Sequence, residues 1–437
     1  MVIAAIVIFL VMQSIPNQDG SYILLSLINA VITSIAIFSF RKYSFSIHKM
    51  VNFFILFFFV IANSLQFSKH VNVTHVPLIF TDNDYVNFQI VVLFIIVFYN
   101  IFYYIYLGKT REKKRLIFQE VNKFKTNPHI NNRILLIISF ISLSITLFHF
   151  KDDIAHLFVR GLIEDSIGAS FEKPEGTIGS QISGKIIRSS TFVCYMIARY
   201  FNINKNTRII LFLFMLISLF PTSLPRNAAA VYWIPVILSN VKFLHKENVF
   251  MLLAFFGLLV LFPLFGRFRN FTGEFDWRLS FDFLSDINFD TSQEFMIVIR
   301  KDIVTWGQQL LGSILFFVPR SIWPSKPIGS GALITENYDD DTNVSMPFFG
   351  EGYINFGYLG VFFFSFALAA FSAHFDYLYW KVKKYKRDSS LFGIYYFIIV
   401  SSMLYILRGD MMSSFAYTFA TLINVHLIWL LIKKFSH

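Results

Sequence analysis

The chain has 437 residues, of which 55% are hydrophobic and 15% are charged. An ordinary soluble domain has about 25% charged residues, so this chain has too few polar groups to cover a soluble surface. The composition excludes a soluble enzyme, and it also excludes an intrinsically disordered protein, because disorder requires low hydrophobicity. Cys194 is the only cysteine, which excludes an intrachain disulfide and a cysteine-based metal site.

Long apolar runs separated by polar breaks predict an all-α polytopic membrane protein. We expect about 12 transmembrane helices, with nine in 1–266 and three in 351–437, the last followed by a cytoplasmic tail. Between them, 267–350 is predicted to form an external loop domain with surface or re-entrant helices, because its apolar stretch 310–318 is too short to span a bilayer. The 56 Phe residues are expected to face lipid. The predicted spans are 1–14, 21–40, 50–66, 86–107, 134–150, 181–202, 209–222, 227–240, 249–266, 352–375, 391–407 and 411–432.

The distribution of charge orients these spans. With the N-terminus inside, the predicted inner segments hold 22 Lys and Arg residues against 5 acidic residues, a net charge of +17, while the rest of the chain carries −6. Because cytoplasmic loops are rich in Lys and Arg, both termini are predicted to be cytoplasmic. Topology and attraction to anionic membrane lipid then explain the total charge of +11 without nucleic acid. The predicted inner segments are 41–49, 108–133, 203–208, 241–248, 376–390 and 433–437.

Cations at the predicted outer face are candidates for anion binding, because charge at a membrane is costly unless it has a use. Lys185 and Arg188 are three residues apart and share one helix face, with snorkelling toward the interface as the structural alternative. Arg226 follows two prolines in a stiff hairpin and suits bidentate phosphate binding, although a helix-end anchor also fits. Arg408 lies in a tight outer hairpin, where a local ion pair with Asp410 is the alternative.

A second group of candidates lies in and beside the external segment. Arg269 alternates with Phe just after an apolar run, a pattern that fits either substrate binding or a membrane anchor. The stretch 319–327 contains three prolines, which restrict its backbone. Arg320 and Lys326 supply cations there, and Trp323 supplies an aromatic face. We therefore predict a preorganised site for a sugar attached to a phosphate.

Glu351 lies between Gly350 and Gly352 at the predicted mouth of a span. A carboxylate in this position is costly unless it is paired or hydrated. We predict that Glu351 is a catalytic general base beside the basic stretch. The structural alternative is an ion pair with Arg320.

No metal and no cofactor are predicted. The acidic run Asp339–Asp341 lacks the glycine and glutamate offsets of a calcium loop, so a solvated loop is the better interpretation. The chain also has no phosphate-binding GxxxxGK[ST] loop, no HExxH motif and no nucleotide-binding glycine fingerprint. These absences argue against an ATP-driven pump.

Two motifs between residues 319 and 360 combine fixed prolines, cations and glycines. They read Pro319-Arg320-x-x-Trp323-Pro324-x-Lys326-Pro327 and Gly350-Glu351-x-Tyr353-x-Asn355-Phe356-Gly357-x-x-Gly360. The stretch resembles the bacterial O-antigen polymerase family, also called Wzy. The resemblance covers about 40 residues strongly, and elsewhere it is one of architecture, with a dozen spans and a large late outer loop.

The resemblance implies a metal-independent glycosyltransferase of lipopolysaccharide biosynthesis with a GT-C-type polymerase and ligase architecture. It would lie in the bacterial inner membrane with its active face toward the periplasm. Its partners would be a glycan donor and a glycan acceptor, both linked to undecaprenyl pyrophosphate, and a regulator of chain length. The growing chain would be transferred as a block, by inversion or retention, to a sugar hydroxyl of the acceptor. An O-antigen ligase and a flippase for lipid-linked oligosaccharides are the alternatives, although a flippase would be expected to show two similar halves.

Overall fold

The computed structural model describes most of the chain as helices joined by short turns. The predicted span 1–14, most of the predicted outer loop 151–180, Arg269 and the acidic run Asp339–Asp341 lie outside the described residues. The described residues are 20–39, 43–74, 76–112, 132–151, 154–158, 178–263, 282–335, 344–384 and 391–435.

No strand is present in these described ranges, and their longer elements are α-helices. We number the helices in chain order and leave short 3₁₀ turns unnumbered. They are α1 (Gly20–Ser39), α2 (Ile47–Lys69), α3 (Asp82–Glu112), α4 (Asn132–His149), α5 (Ile178–Tyr200), α6 (Lys205–Ser218), α7 (Arg226–Asn240), α8 (Val249–Phe256), α9 (Thr291–Arg300), α10 (Gln308–Ile314), α11 (Ser330–Thr335), α12 (Phe348–Lys384), α13 (Leu391–Arg408) and α14 (Met411–Phe435).

Eight of the described helices are long and apolar enough to cross a membrane, which confirms a polytopic helical membrane protein. These eight are α1 to α4, α6 together with the 3₁₀ turn that extends it to Ser223, and α12 to α14. The count of 12 and the position of the external segment remain predictions. Three predicted spans are shorter or more polar than a membrane helix requires. Helix α5 carries Lys185, Arg188 and Arg199, α7 has 15 residues, and α8 has 8 before a π-helical segment at Gly257–Leu261.

Helix α2 is the most deeply buried of the candidate spans, with 94% of its apolar stretch inside the protein. Phe53, Phe54 and Phe57 on this helix are at most 2% exposed. The expectation that phenylalanines face lipid is therefore wrong for α2, where their rings fill the space between helices. The expectation agrees better with Phe94 and Phe363, which are 55% and 56% exposed.

Asp376 lies on α12 and caps the N-terminus of α2. Its carboxylate accepts hydrogen bonds from the backbone N–H groups of Ile47 at 2.8 Å and His48 at 3.1 Å. The hydroxyl of Tyr396 donates to the same carboxylate at 2.6 Å. A negative charge at a helix N-terminus satisfies otherwise unpaired donors and opposes the helix dipole. Asp376 was expected in the inner loop 376–390, but α12 continues past it and buries it completely.

Helix α12 contains a sharp break that its glycines permit. Phe356 and Gly357 leave the helical conformation, and Gly357 takes a φ of 58°, which glycine tolerates best. Eight residues of a continuous helix would separate Gly352 from Gly360 by about 12 Å. Here a Cβ added to Gly360 would clash with the carbonyl oxygen of Gly352. The segment before the break, which carries Glu351, is therefore packed against the start of the segment after it.

We expect the substitution Gly360→Ala to destabilise the protein, because its methyl group would push the two segments of α12 apart. Gly257→Ala is the matched control, since a Cβ there meets nothing within 4 Å. The melting temperatures of both variants in detergent provide the measurement. Equal melting temperatures for the two variants would show that the close approach does not contribute to stability.

Candidate functional site

The hairpin between α13 and α14 joins several polar groups at one end of the bundle. Asp410 accepts a hydrogen bond from the backbone N–H of Ser330 at 2.6 Å, and the hydroxyl of Ser330 donates to Glu351 at 2.7 Å. The backbone N–H of Met411 donates to the other carboxylate oxygen of Glu351 at 3.0 Å. Glu351 is fully buried. Ser330 thus links two carboxylates that are 59 positions apart in the chain.

Both ion pairs suggested by the sequence as structural alternatives are replaced by other contacts. Arg408 pairs with Asp290 of the turn before α9, at 3.4 Å, and not with Asp410. Glu351 binds its two uncharged donors and not Arg320. The guanidinium of Arg320 instead donates to two backbone carbonyls, those of Lys326 at 2.6 Å and Pro327 at 3.1 Å.

The basic stretch 319–327 is held by contacts within it and with the residues just before it. The ammonium of Lys326 donates to the carbonyl oxygens of Phe316 at 2.7 Å and Val318 at 3.1 Å. Burial, and secondarily the charge of Arg320, lowers the pKa of Lys326. The indole N–H of Trp323 donates to Ser325 at 3.0 Å. Arg320 and Lys326, which were predicted to bind the phosphate, are therefore held by backbone carbonyl groups in the same loop as Trp323, which was predicted to contact the sugar.

The cations of α5 point in two directions. The ammonium of Lys185 lies 3.0 Å from the ring centre of Tyr417 in α14. Arg188 donates to the carbonyl of Ser218 at 2.8 Å and to the hydroxyl of Ser223 at 3.1 Å, so it ties α5 to the end of α6. Although Lys185 and Arg188 lie on one helix face, they contact different partners.

Arg226 begins α7 and lies on the surface close to the same region. Its guanidinium stacks 4.3 Å from the ring centre of Phe262, and Phe262 packs against Phe289 at 5.8 Å. Phe289 immediately precedes Asp290, the partner of Arg408. A continuous chain of contacts thus joins Arg226 to the α13–α14 hairpin.

Glu294 is a carboxylate that the sequence did not single out. It is fully buried, and neither of its carboxylate oxygens has a hydrogen-bond partner among the described residues. Burial, and secondarily the charge of Asp290 one helical turn earlier, raises the pKa of Glu294 well above its usual value. The spacing of Asp290 and Glu294 was the available signal, because residues four apart share a helix face.

An apolar groove of about 490 Å³ runs between α3 and α12. Its walls include Phe94 and Phe98 from α3 and Tyr358 and Phe362 from α12. The ring centres of Tyr358 and Tyr353 are 5.1 Å apart, and Tyr353 lies two residues after Glu351. The groove therefore begins beside the helix break and extends along two candidate membrane spans.

Across the described part of the chain, no three His, Cys, Asp or Glu residues are grouped closely enough to hold a metal ion. The carboxylates of the region are instead bound by hydroxyl and backbone N–H donors and by Arg408.

The comparisons with known proteins find no matching family model, no matching curated protein and no matching solved structure. The resemblance to O-antigen polymerases thus remains a prediction that rests on the motifs between residues 319 and 360.

Glu294 makes the stability of the protein depend on pH. In the unfolded chain its carboxyl ionises near the ordinary pKa of about 4.3, whereas the folded state keeps the proton to higher pH. Between these two pKa values the folded state binds more protons, so its stability falls as pH rises. Glu294→Gln removes this term. We expect the melting temperature of the variant, relative to that of wild type, to rise as pH increases above the ordinary carboxyl pKa of about 4.3.

Glu247→Gln is the control for this prediction, because it removes an exposed carboxylate. If the difference in melting temperature between wild type and Glu294→Gln is the same at every pH, Glu294 is excluded as the titrating group.

Proposed function

We propose that this protein polymerises oligosaccharide repeat units linked to undecaprenyl pyrophosphate. The reaction takes place at the periplasmic face of the bacterial inner membrane, and both termini are cytoplasmic. A hydroxyl oxygen of the acceptor repeat forms a bond to the anomeric carbon of the donor chain. The bond from that carbon to the pyrophosphate oxygen breaks, and undecaprenyl pyrophosphate leaves with the electron pair.

One observation carries this proposal: a polar centre built from Glu351, Ser330 and Asp410 lies at the end of apolar helices, and Arg408 adjoins it. Carboxylates and cations in such a protein are costly, and their usual justification is function. The centre offers an acceptor for the hydroxyl proton and neighbouring positive charge for the departing pyrophosphate. Both are what glycosyl transfer from a pyrophosphate requires.

The cations have distinct roles in this proposal. Arg226 provides a bidentate donor for the pyrophosphate, and Lys185 and Arg408 add positive charge around it. Arg188, Arg269, Arg320 and Lys326 belong to the same predicted set. The guanidinium of Arg320 shapes the loop that carries Trp323 toward the sugar. Fixed cations stabilise a developing negative charge without a metal, because they need no reorganisation during the reaction.

The groove between α3 and α12 supports a lipid-linked substrate. Its exposed aromatic walls lie on two candidate spans, so hydrocarbon is the medium they meet. A lipid chain in this groove would enter beside Tyr358, at the helix break next to the segment that carries Glu351.

Reconstitution with defined substrates tests the proposed function. Purified protein in liposomes receives a repeat unit linked to undecaprenyl pyrophosphate together with a lipid A core, and the products are separated on a gel. A ladder of longer lipid-linked chains is expected. Transfer of the glycan only to a lipid A core would identify the ligase alternative. Movement of intact substrate across the membrane without extension would identify the flippase, and both outcomes would refute polymerisation.

Arg226→Ala should slow chain extension by roughly 10²–10³, which corresponds to about 2–4 kcal/mol of lost transition-state stabilisation. Arg226→Lys should also fail, because a single ammonium cannot make the bidentate contact. Arg300→Ala is the control, since this exposed arginine pairs with Asp84 on the surface and such pairs contribute little. Wild-type extension rates for Arg226→Ala at equal protein levels would remove Arg226 from the reaction.

Glu351→Gln distinguishes a base from an anchor. If Glu351 accepts the proton, the variant folds, binds the lipid-linked substrate and fails to extend it. If Glu351 only holds Ser330 and Met411 in place, the variant loses melting temperature and its remaining folded fraction turns over normally. Asp410→Asn serves as the comparison, because it perturbs the contact with Ser330 and leaves Glu351 intact. Normal turnover by Glu351→Gln would exclude it as the base.

A further inference from the structure

Trp306 is the one exposed tryptophan in the part of the chain that the structure describes, and the residue is 80% exposed. It lies between α9 and α10. The exposed residues nearest to it in the sequence, Lys301, Asp302 and Gln308, are all polar. A single exposed apolar ring is ordinary on a protein surface. The unusual feature of Trp306 is the backbone that carries this ring.

The backbone of Trp306 is held in the left-handed region. Its φ is 51°, and φ is also positive at Asp302, at 47°, and at Gly307, at 88°. A bulky side chain adopts this conformation at a cost, and the conformation persists only where the surrounding structure enforces it. Glycine would adopt it freely. The stability of the fold therefore does not explain a tryptophan at position 306, and strained residues of this kind cluster at ligand-binding and active sites.

The segment 302–307, termed the Trp306 turn, is fixed to α12 just before the break in that helix. Three hydrogen bonds make this contact: the hydroxyl of Tyr353 to the carboxylate of Asp302 at 2.9 Å, the N–H of Thr305 to the carbonyl of Ile354 at 2.6 Å, and the N–H of Gly307 to the carbonyl of Asn355 at 3.0 Å. A helix that ends leaves its last carbonyl groups without helical partners. The Trp306 turn supplies donors to two such carbonyls, which fixes the backbone on both sides of Trp306.

Asn355 connects the Trp306 turn to the polar centre. Its side-chain amide donates to the carbonyl oxygen of Glu351 at 2.8 Å, and its own backbone carbonyl accepts the N–H of Gly307. Glu351 and Asn355 are one helical turn apart, which is about 6 Å along the helix axis. Trp306 is therefore held beside the turn of α12 that carries the carboxylate proposed as the base.

We propose that Trp306 and Asp302 form a sugar-binding platform for the oligosaccharide repeat. A pyranose presents C–H groups on one face and hydroxyls at its edge. The indole ring packs against the C–H face, and the carboxylate of Asp302 accepts hydrogen bonds from the hydroxyls. A carboxylate can accept about four hydrogen bonds, so the contact with Tyr353 leaves capacity for the sugar. The platform rests on the proposed function for the identity of the glycan, and it adds a second aromatic residue to Trp323.

Binding measured without turnover tests the platform. The probe is the oligosaccharide repeat that mild acid releases from the lipid-linked pool of the producing host. Its affinity for the purified protein in detergent is measured by ligand-observed NMR titration. Trp306→Ala should weaken binding about tenfold, a loss comparable to that of one stacked ring in other recognition sites. Trp306→Tyr should retain most of the affinity, because an aromatic face remains.

Phe317→Ala is the matched control. Phe317 is also an exposed aromatic residue, at 66%, but it lies beyond α10 and outside the Trp306 turn. Its variant should bind the oligosaccharide as wild type does. Wild-type affinity for Trp306→Ala, or an equal loss in Phe317→Ala, would overturn the platform.

Melting temperatures separate a binding role for Trp306 from a structural one. Trp306→Gly should melt at a higher temperature than Trp306→Ala, because glycine adopts a positive φ without strain. Both variants should nevertheless lose affinity for the oligosaccharide. If both variants instead melt well below wild type and the loss of binding matches the unfolded fraction, Trp306 serves stability and the platform is overturned.

A membrane anchor is the competing explanation, because tryptophan is common at bilayer interfaces. Protein in liposomes of brominated phosphatidylcholine distinguishes the two. The fluorescence of Trp306, taken as the difference between wild type and Trp306→Phe, should resist quenching by bromine and should change when the oligosaccharide binds. Quenching by bromine would place the ring in the bilayer and overturn the platform.

These assays need no catalysis, so the two proposals can fail separately. A protein that binds the oligosaccharide through Trp306 but produces no ladder of longer chains would refute only the proposed function. Wild-type chain extension together with wild-type affinity in Trp306→Ala would refute only the platform.

Discussion

A buried carboxylate must find hydrogen-bond donors, and the contacts of Glu351 organise the end of the molecule that carries the α13–α14 hairpin. Its two oxygens are held by the hydroxyl of Ser330 and the backbone N–H of Met411, which begin α11 and α14. Asp410 holds the backbone N–H of Ser330 in turn. Removing Glu351 would therefore loosen the starts of two helices and the loop between α10 and α11 at once. The same bonds set the distance between the basic loop and the hairpin that carries Arg408.

The other end of α12 works by the same principle. Asp376 is also fully buried, and it accepts hydrogen bonds from the first N–H groups of α2. Between these two carboxylates, the side chain of Asn355 accepts a hydrogen bond from the backbone N–H of Leu310 at 2.7 Å and so caps α10. One helix thus fixes the beginnings of several others. The break at Phe356 and Gly357 separates Glu351 and Asn355 from Asp376 along this helix.

The sequence predicted the part of this arrangement that depends on local rules. Apolar runs located α13 and α14, whereas the break at Phe356 and Gly357 was not predicted. The sequence could not predict which helices pack against each other, because a helical period defines which residues share a face but not which helix that face meets. Lys185 and Arg188 illustrate this limit, since one contacts α14 and the other contacts the end of α6. Asp376 was wrongly predicted to lie in a loop, because the charged run after it suggested that the helix had already ended.

The choice of partners within the site has an electrostatic consequence. Glu351 and Asp410 are stabilised by neutral donors, namely hydroxyl and backbone N–H groups, and these bonds use none of the predicted cations. Only Asp290 among the described carboxylates of this region draws on a cation, Arg408. If the proposed function holds, a pyrophosphate at this end of the molecule would meet cations that Glu351 and Asp410 do not bind directly. Neutral donors keep these two acids in place, which is the arrangement that the proposed reaction needs if one region is to accept a proton and also attract an anion.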